Sequence, residues 1–524
     1  MTNTDLSLMV FSVLKQAGAD TVVVCAGARN APLVLNLQSD SGFKVFQFFE
    51  ERSAAFFALG LIRAGQKPVA ILTTSGTAAA ELLPAVIEAH YQGLPMILVT
   101  ADRPKAYRGT GSPQTIQQPG LFSAYVENVY DLDVHTKDYQ FKWSLKNPLH
   151  LNVAFDEPLI DHASDEPLID HAGLTPILPK LELIPVRQAK AVDMGISKAP
   201  FIILGDFPQA NQPQVLEFLL RTKAPVYAES LSQMKNYPQL KSLLIRSSEL
   251  VKPLFKMNLC DSVIRIGGVP TLRFWRDLEN EFCQVPVFNF SHLEFSGLAR
   301  NSDCSDLQSL QKVFIEFQSD KMQQIKNFDE VLETEKQKLL AKYPLSEQNF
   351  TKKIAEVVSD DPVYLGNSLP IRNWDEFADC RSAQIYANRG ANGIDGQLST
   401  YLGWSEKTPR SFCYVGDLTA LYDLAALGLG PQLNMGQRHI VVLNNFGGQI
   451  FKRVFKNENF VNAHATRFFH WAKMWNWNYL QITSIEDLQQ IKTSATPLNV
   501  IEILPEAGQT ELFWNEWDNL CRNL

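Results

Sequence analysis

Short runs of β-branched and aromatic residues recur along the chain, each followed by a turn and then an amphipathic stretch, and this alternation limits the fold more than any other feature. The runs fall into three blocks. The first holds TVVVCA (21–26), FKVFQFF (43–49), VAILTT (69–74), MILVTA (96–101) and LHLNVA (149–154), with helical patterns such as SAAFFALGLIRA between them. The second holds PFIILGD (200–206), APVYAES (224–230), DSVIRIGG (261–268) and VPVFNF (285–290), then a polar helical stretch through 306–342 that reads as a connector. The third holds PVYLGNS (362–368), AQIYANRG (383–390), SFCYVGD (411–417), HIVVLNN (439–445) and LNVIEIL (498–504). Runs this continuously apolar suit strands covered on both faces, so the expected class is α/β with three doubly wound parallel-sheet domains. At roughly 100 to 200 residues per domain, the 524 residues agree with three, drawn at 1–180, 181–345 and 346–524.

Composition narrows the function. Lys and Arg number 48 against 56 Asp and Glu, a net charge of −8, so no global field favours nucleic acid or an anionic membrane, and neither is expected as a partner. An anionic ligand must be met by local arginines. Seven scattered cysteines with no CxxC pair suggest neither a disulfide framework nor a zinc site, and a cytoplasmic location is expected. The N-terminus spaces Leu6, Met9, Val10, Val13 and Leu14 as on a surface helix and lacks the basic start and unbroken apolar core of a signal peptide. No stretch approaches the ~18 apolar residues of a membrane span, so a soluble protein is expected. A tandem duplication, DEPLIDHAS (156–164) then DEPLIDHAG (165–173), repeats the pair Asp161/His162 as Asp170/His171. It reads as a duplicated surface loop without metal chemistry.

In open α/β sheets ligands sit beyond the carboxyl ends of the strands. After the first-block runs come GARN (27–30), EER (50–52), SGT (75–77) and DRP (102–104). After the third-block runs come NSLPIR (367–372), NRGANGIDG (388–396), GDLT (416–419) and NNFGGQIF (444–451), while the middle block is sparser. Asp417 and Asn445 end two such runs 28 residues apart, and Gly447 follows in a Gly-Gly turn. A carboxylate, an amide oxygen and a backbone carbonyl are the hard oxygen donors that Mg²⁺ takes alongside phosphate oxygens. A helix expected to begin near Ala420 would turn its free amides toward a diphosphate.

The pattern Gly416-Asp417 … Asn444-Asn445 resembles the signature of thiamine-diphosphate enzymes. That resemblance implies a thiamine-diphosphate-binding fold, with residues 1–180 as a pyrimidine-binding domain, 181–345 as a central α/β domain and 346–524 as a diphosphate-binding domain. It implies thiamine diphosphate with Mg²⁺, Mn²⁺ being an alternative, and metal ligands Asp417, Asn445 and Gly447. Glu51, just before Arg52, matches the glutamate that hydrogen-bonds the aminopyrimidine; such a carboxylate favours the imino tautomer that removes the thiazolium C2 proton. Glu50 reads as a solvated or helix N-terminal charge. Because that glutamate and the diphosphate motif belong to different subunits, the resemblance implies a homodimer or homotetramer with active sites at the subunit interface.

The run EERSAAFFALGLIRAGQKPVAILTTSGTAAAELLPAVIEAHYQGLPMILVTADRP, then RGTGSPQTIQQPGLF, NRGANGIDGQLST, GDLTALYDLAAL and NNFGGQIF, resembles the 2-succinyl-5-enolpyruvyl-6-hydroxy-3-cyclohexene-1-carboxylate (SEPHCHC) synthases, transferases of menaquinone biosynthesis. The likeness is strong over 1–155 and 360–455. It implies decarboxylation of 2-oxoglutarate and conjugate addition of the succinyl semialdehyde unit to isochorismate, giving SEPHCHC and carbon dioxide. Both substrates are dicarboxylates, and Arg grips carboxylates in bidentate fashion. By resemblance Arg29, Arg103, Gln114, Arg273, Ser368, Arg372 and Arg389 are substrate contacts. Ser75, Gly76, Ile394, Gly416, Leu418, Thr419, Ile450 and Phe451 join Glu51 and the metal ligands around the cofactor, with Val454 on the apolar wall.

Two departures stand out. The family commonly reads GSRS where this chain has Gly27-Ala28-Arg29-Asn30, and a basic pair where Thr271-Leu272-Arg273-Phe274 offers one charge. They keep open a second reading, another thiamine-diphosphate-dependent 2-oxoacid decarboxylase or carboligase with a different acceptor. A third, a non-catalytic cofactor-binding scaffold, is opposed by the intact Glu51, Asp417 and Asn445.

Overall fold

A computed structural model describes the chain except for residues 40–41, 137–139, 161–178, 185–197, 301–302, 380–381, 383, 434–435, 456 and 523–524. Most of the tandem duplication, including Asp161, His162, Asp170 and His171, lies outside the described residues. The chain divides into two compact units, the first comprising Met1–Val186, Gly390–Thr408 and Tyr422–Gly436, the second Arg187–Arg389, Pro409–Leu421 and Gln437–Leu524.

The first unit is built on a six-stranded sheet ordered Lys44–Gln47, Thr21–Val24, Val69–Thr73, Met96–Asp102, Leu149–Ala154, Val129–Leu132, with every pairing parallel. The chain leaves the Thr21 strand toward one side and returns on the other, which makes the carboxyl ends of the neighbouring strands Thr21–Val24 and Val69–Thr73 a topological switch point. The N-terminal helix Asn3–Gln16 opens with a capping box between Thr2 and Asp5 and buries Leu6, Met9, Val10, Val13 and Leu14, the stripe its sequence spacing predicts. Helix Glu51–Gly65 packs along helix Gln397–Trp404, a segment of the third block. The crossing is too close for side chains at two positions. A Cβ on Gly60 would lie 2.0 Å from the Thr400 carbonyl oxygen, and one on Gly403 would lie 2.1 Å from that of Phe57. Asp423, fully buried, ties the same region by accepting from Ser399 N (2.8 Å) and from the hydroxyls of Ser399 (3.0 Å) and Ser53 (3.1 Å).

The second unit carries two all-parallel sheets. One has five strands ordered Val226–Ala228, Pro200–Leu204, Ser262–Ile266, Val287–Phe290, Cys304–Ser305. The other has six, ordered Ile385–Tyr386, Val363–Leu365, Arg410–Gly416, Gln437–Leu443, Leu498–Ile503, Asn478–Ile482. Three parallel sheets flanked by helices are the α/β class expected from the sequence. The polar stretch read as a connector is, over Ser319–Lys342, a 24-residue helix that buries Ile325, Leu332, Leu339 and Leu340 in the core of the five-stranded sheet. It is part of a core. Among the described residues no helix is long and apolar enough to cross a membrane.

Candidate active site

In the first unit the carboxyl edge of the sheet presents, in strand order, Glu51, Arg29, Ser75 with Gly76, and Arg103. Glu50 is the N-cap of helix Glu51–Gly65, its side chain accepting from the backbone amides of Arg52 (3.2 Å) and Ser53 (3.0 Å). Capping therefore falls to Glu50 and leaves the carboxyl of Glu51 available. Burial pushes the Glu51 pKa up and the charges of Glu50 and Glu81 push it further, against the pull of its own backbone amide. Arg29 is 7% exposed and pairs with Glu157 at 2.9 Å. In the same turn Asn30 accepts from Gly27 N (2.8 Å) and donates to the Cys25 carbonyl (2.9 Å), so an amide closes the turn and Ala28 stands exposed.

Arg103 donates to the Pro113 carbonyl at 2.9 Å, and the adjacent Gln114, at φ 54°, crosses over Gly76. Gly76 has φ 85°, and a Cβ there would lie 3.1 Å from the Gln114 Cα; only glycine suits the position. The loop is pinned from below. Arg108 donates to both oxygens of Asp131 at 2.7 Å and to Asp102 at 3.1 Å, Asn152 donates to both acids, and Gln118 bridges Asn152 to Gly76 N. Ile394 also belongs to this unit, on a loop held where Glu88 accepts from Gly390 N and Ala391 N, both at 2.7 Å.

In the second unit the six-stranded sheet displays Arg389, then Ser368 and Arg372, then Asp417, then Asn445 and Gly447 along its carboxyl edge. Ser368 has φ 72° and ψ −128°, a strained backbone for a residue with a side chain, and its hydroxyl caps no helix amide. Arg372 donates to the Ser368 carbonyl (2.6 Å), Arg389 donates to Asn367 Oδ1 (2.9 Å), and Asn367 donates to the Asn388 carbonyl (2.8 Å). Partial burial and the positive charges of Arg389 and Arg276 lower the Arg372 pKa; its side chain still reaches solvent, which softens the effect. Arg276 was not singled out from the sequence. The stretch Thr271–Phe274 carries one charge, as its sequence says, and a second guanidinium stands three residues beyond Arg273, within the short helix Phe274–Asp277. Arg273 itself is largely exposed and pairs with Asp277 at 3.3 Å. Its loop is tied down where Glu229 accepts from Thr271 N, the Thr271 hydroxyl and Leu272 N, and where the Thr271 hydroxyl also reaches Asp375 (3.1 Å).

Asp417 ends the Arg410–Gly416 strand. Its helix starts at Asp417 and runs six residues to Tyr422, which corrects the expected start near Ala420: the Asp417 side chain accepts from Leu418 N (2.6 Å), starting the helix at once. The other Asp417 oxygen accepts from Gly447 N at 2.9 Å. His464 Nε2 lies 3.3 Å from that oxygen, a charge-pair distance without hydrogen-bond alignment. Burial raises the Asp417 pKa against these donors. Asn445 donates through Nδ2 to Glu347 Oε1 at 2.8 Å, and among the described residues none donates to its Oδ1. The Gly447 carbonyl accepts from Gln449 N at 2.9 Å, which leaves one lone pair for another partner. Gly447 has φ 141°, and a Cβ would lie 2.7 Å from the Val461 carbonyl oxygen. Ile450, Phe451 and Val454 follow on helix Gln449–Phe455, with Phe451 41% and Val454 54% exposed.

A cleft of about 1930 Å³ in the second unit contains none of these residues. Within it Lys235 donates to the backbone carbonyls of Asp375 and Ala378, and Lys336 donates to those of Arg246 and Glu376 and pairs with the carboxylates of Glu333 and Glu376.

A model of the N-terminal TPP binding domain of thiamine pyrophosphate enzymes matches residues 4–121. The SEPHCHC synthase of Bdellovibrio bacteriovorus is 45% identical over the full length of both chains. The chain belongs to the SEPHCHC synthase family. The family's representative in Akkermansia muciniphila is 36% identical over 93% of this chain and 94% of its own, and that of Lysinibacillus sphaericus 29% identical over 97% and 96%.

For a SEPHCHC synthase the residues present fit thiamine diphosphate. Asp417, Asn445 and Gly447 offer oxygen donors only, as a diphosphate-bound hard cation requires. Beside them Glu347 is fully buried with one oxygen, Oε2, left without a partner, and burial pushes its pKa up to about 7 against the Asn445 bond. Glu347 and Arg276 went unnoticed in the sequence because each lies in an ordinary helical context.

Proposed function

We propose that this chain catalyses the thiamine-diphosphate-dependent joining of a four-carbon unit from 2-oxoglutarate to isochorismate, giving SEPHCHC and carbon dioxide. Family membership supports this reading, and the observation that carries it on this chain is Glu51. A half-buried acid with a raised pKa, relieved of capping duty by its neighbour, stands at the carboxyl edge of the sheet, just after the strand Lys44–Gln47. When bound, thiamine diphosphate supplies the electron sink that lets a 2-oxo acid lose carbon dioxide and act as a carbon nucleophile. Glu51 hydrogen-bonds the pyrimidine and shares its proton with the ring, and burial, by raising its pKa, favours the protonated form that this exchange needs. Ser75, Gly76 and Ile394 flank the same ring. Asp417 and Asn445, with the Gly447 carbonyl, hold Mg²⁺ or Mn²⁺, and Gly416, Leu418 and Thr419 line the diphosphate. Arg29 and Arg103 with Gln114, and Arg273, Arg372 and Arg389 with Ser368, grip the substrate carboxylates and orient them. Ile450, Phe451 and Val454 exclude water. In this scheme residues 1–180 bind the pyrimidine, 346–524 the diphosphate, and 181–345 form the central domain.

We further propose that each active site draws Glu51 from one copy of the chain and the metal clamp from another, in a soluble cytoplasmic homodimer or homotetramer. Apolar surface beside each half supports this: Phe49 is 68% exposed next to Glu51, and Phe451, Val454, Phe455 and Phe460 are 41–54% exposed beside the clamp. Mixing inactive Glu51→Gln and Asp417→Ala chains after subunit exchange should recover up to about a quarter of parental isochorismate consumption. No recovery despite exchange would place both halves of a site in one chain. Parental protein loaded with cofactor and Mg²⁺ that leaves isochorismate untouched in the presence of 2-oxoglutarate would overturn the reaction itself.

The second reading, a different acceptor, rests on Ala28 alone. Phe274 is a core residue, 2% exposed and stacked on Phe255 at 4.8 Å, and carries no information about substrate.

A further inference from the structure

An asparagine that ligates a cation must present its oxygen and turn away its NH₂ group, yet the two ends of the amide have nearly the same shape. Something has to choose. Asn445 donates through Nδ2 to Glu347 Oε1 at 2.8 Å, while its own backbone carbonyl accepts from Gln449 Nε2 at 3.2 Å. Glu347 is 2% exposed and occupies the first turn of helix Glu347–Val357, whose cap is Ser346. Its backbone is fixed on both sides. The Glu347 N–H donates to Thr510 Oγ1 (3.1 Å), and its carbonyl accepts from Thr351 Oγ1 (2.8 Å), which in turn lies 2.8 Å from the Tyr414 hydroxyl on the strand leading to Asp417. Glu347 Oε2 has no partner and is buried. The carboxyl is therefore an acceptor, rigidly held, with no polar contact in the described residues other than the amide it faces.

We propose that Glu347 is the positioning residue of the metal clamp: by taking the Asn445 NH₂ group it fixes the amide so that Oδ1 faces the cation, and it dictates an amide and not a carboxylate at position 445. The inference rests on the reading of Asp417, Asn445 and Gly447 as that clamp. A carboxylate has acceptors only, so it can take the amide NH₂ group and cannot take the amide oxygen. An acid at 445 would instead set two carboxyls against each other in a buried site. Partners that orient a metal ligand typically change affinity by about 10- to 100-fold when removed.

The test is Mg²⁺ titration of the full chain in the presence of thiamine diphosphate, followed by calorimetry, with unfolding midpoints recorded without metal. Glu347→Ala should weaken Mg²⁺ binding about 10- to 100-fold. Asn445→Asp should also weaken it, and adding Glu347→Gln to Asn445→Asp should restore much of the loss, because a glutamine NH₂ can donate to the new carboxylate and re-create the bond with its direction reversed. A role limited to packing predicts no such rescue. Glu347→Ala that folds and binds Mg²⁺ within about threefold of the parent overturns the role of Glu347. Should that variant fail to fold, a double variant that binds no more tightly than Asn445→Asp alone overturns it equally. A parent chain that takes up no Mg²⁺ with the cofactor present overturns the clamp, and this role with it.

Discussion

Arg276 supplies a charge that its neighbourhood in the sequence conceals. Burial lowers the Arg372 pKa and the charges of Arg389 and Arg276 lower it further, so the three guanidinium groups stand close enough to feel one another and a dicarboxylate can be held by more than one of them. Arg276→Ala should raise the KM for 2-oxoglutarate about tenfold, the lower end of what a charge-assisted hydrogen bond contributes, while the unfolding midpoint stays unchanged because the side chain is exposed. Steady-state kinetics and thermal melts on the same preparation check both halves. At Glu51 the expectation differs in kind. Glu51→Gln should leave cofactor affinity within a few-fold of the parent but slow exchange of the bound cofactor's C2 proton by about 10² to 10⁴, read by quenched deuterium exchange. Glu51 was legible as a residue because an acid before Arg at a strand end is a local pattern. Its availability was not, since that depends on Glu50 taking the cap, a choice made by backbone geometry at one position.

At the level of elements, the crossing of helices Glu51–Gly65 and Gln397–Trp404 holds the first unit's non-contiguous segments together. Gly403→Ala forces a methyl group against the Phe57 carbonyl at 2.1 Å and should destabilise the protein by about 1 to 3 kcal/mol or more, measured by urea unfolding. The strands that could be read in advance are those with continuous apolar runs, such as Val69–Thr73 and Met96–Asp102, buried at every position. Those that could not are marginal: Val129–Leu132 and Asn478–Ile482 lie at sheet edges with mixed, half-buried residues, and Gln140–Trp143 pairs with Lys180–Leu183 in a small separate sheet. Edge strands need cover only one face and one ladder, so their sequences carry a weaker signature. The polar look of Ser319–Lys342 misled for a related reason: a long helix with a narrow apolar stripe can be mostly charged and still seal a core.

For the molecule as a whole, two buried groups give stability opposite slopes with pH. Burial, with the charge of Asp375, raises the Glu229 pKa, so the folded chain takes up a proton there and stability falls as pH rises from the ordinary carboxylate range through the raised value. His150, buried and neutral with its pKa lowered to about 3, does the reverse: its contribution is complete above the ordinary histidine range and is lost as pH falls toward that value. Glu229→Gln should therefore make the slope of unfolding free energy between about pH 5 and about pH 6.5 more positive than in the parent, in denaturant titrations at both ends of that window. The parallel α/β character of each block could be anticipated from strand-and-crossover logic, whereas the recruitment of Gly390–Thr408 and Tyr422–Gly436 into the first unit could not, because nothing near residue 60 announces a partner more than 300 positions away. That recruitment has a consequence for biosynthesis. On the ribosome the N-terminal sheet emerges early with the glycine face of helix Glu51–Gly65 still bare, and its covering helix is delivered only after the whole middle block has been translated. A nascent chain of this protein must keep that face from wrong company for most of its synthesis.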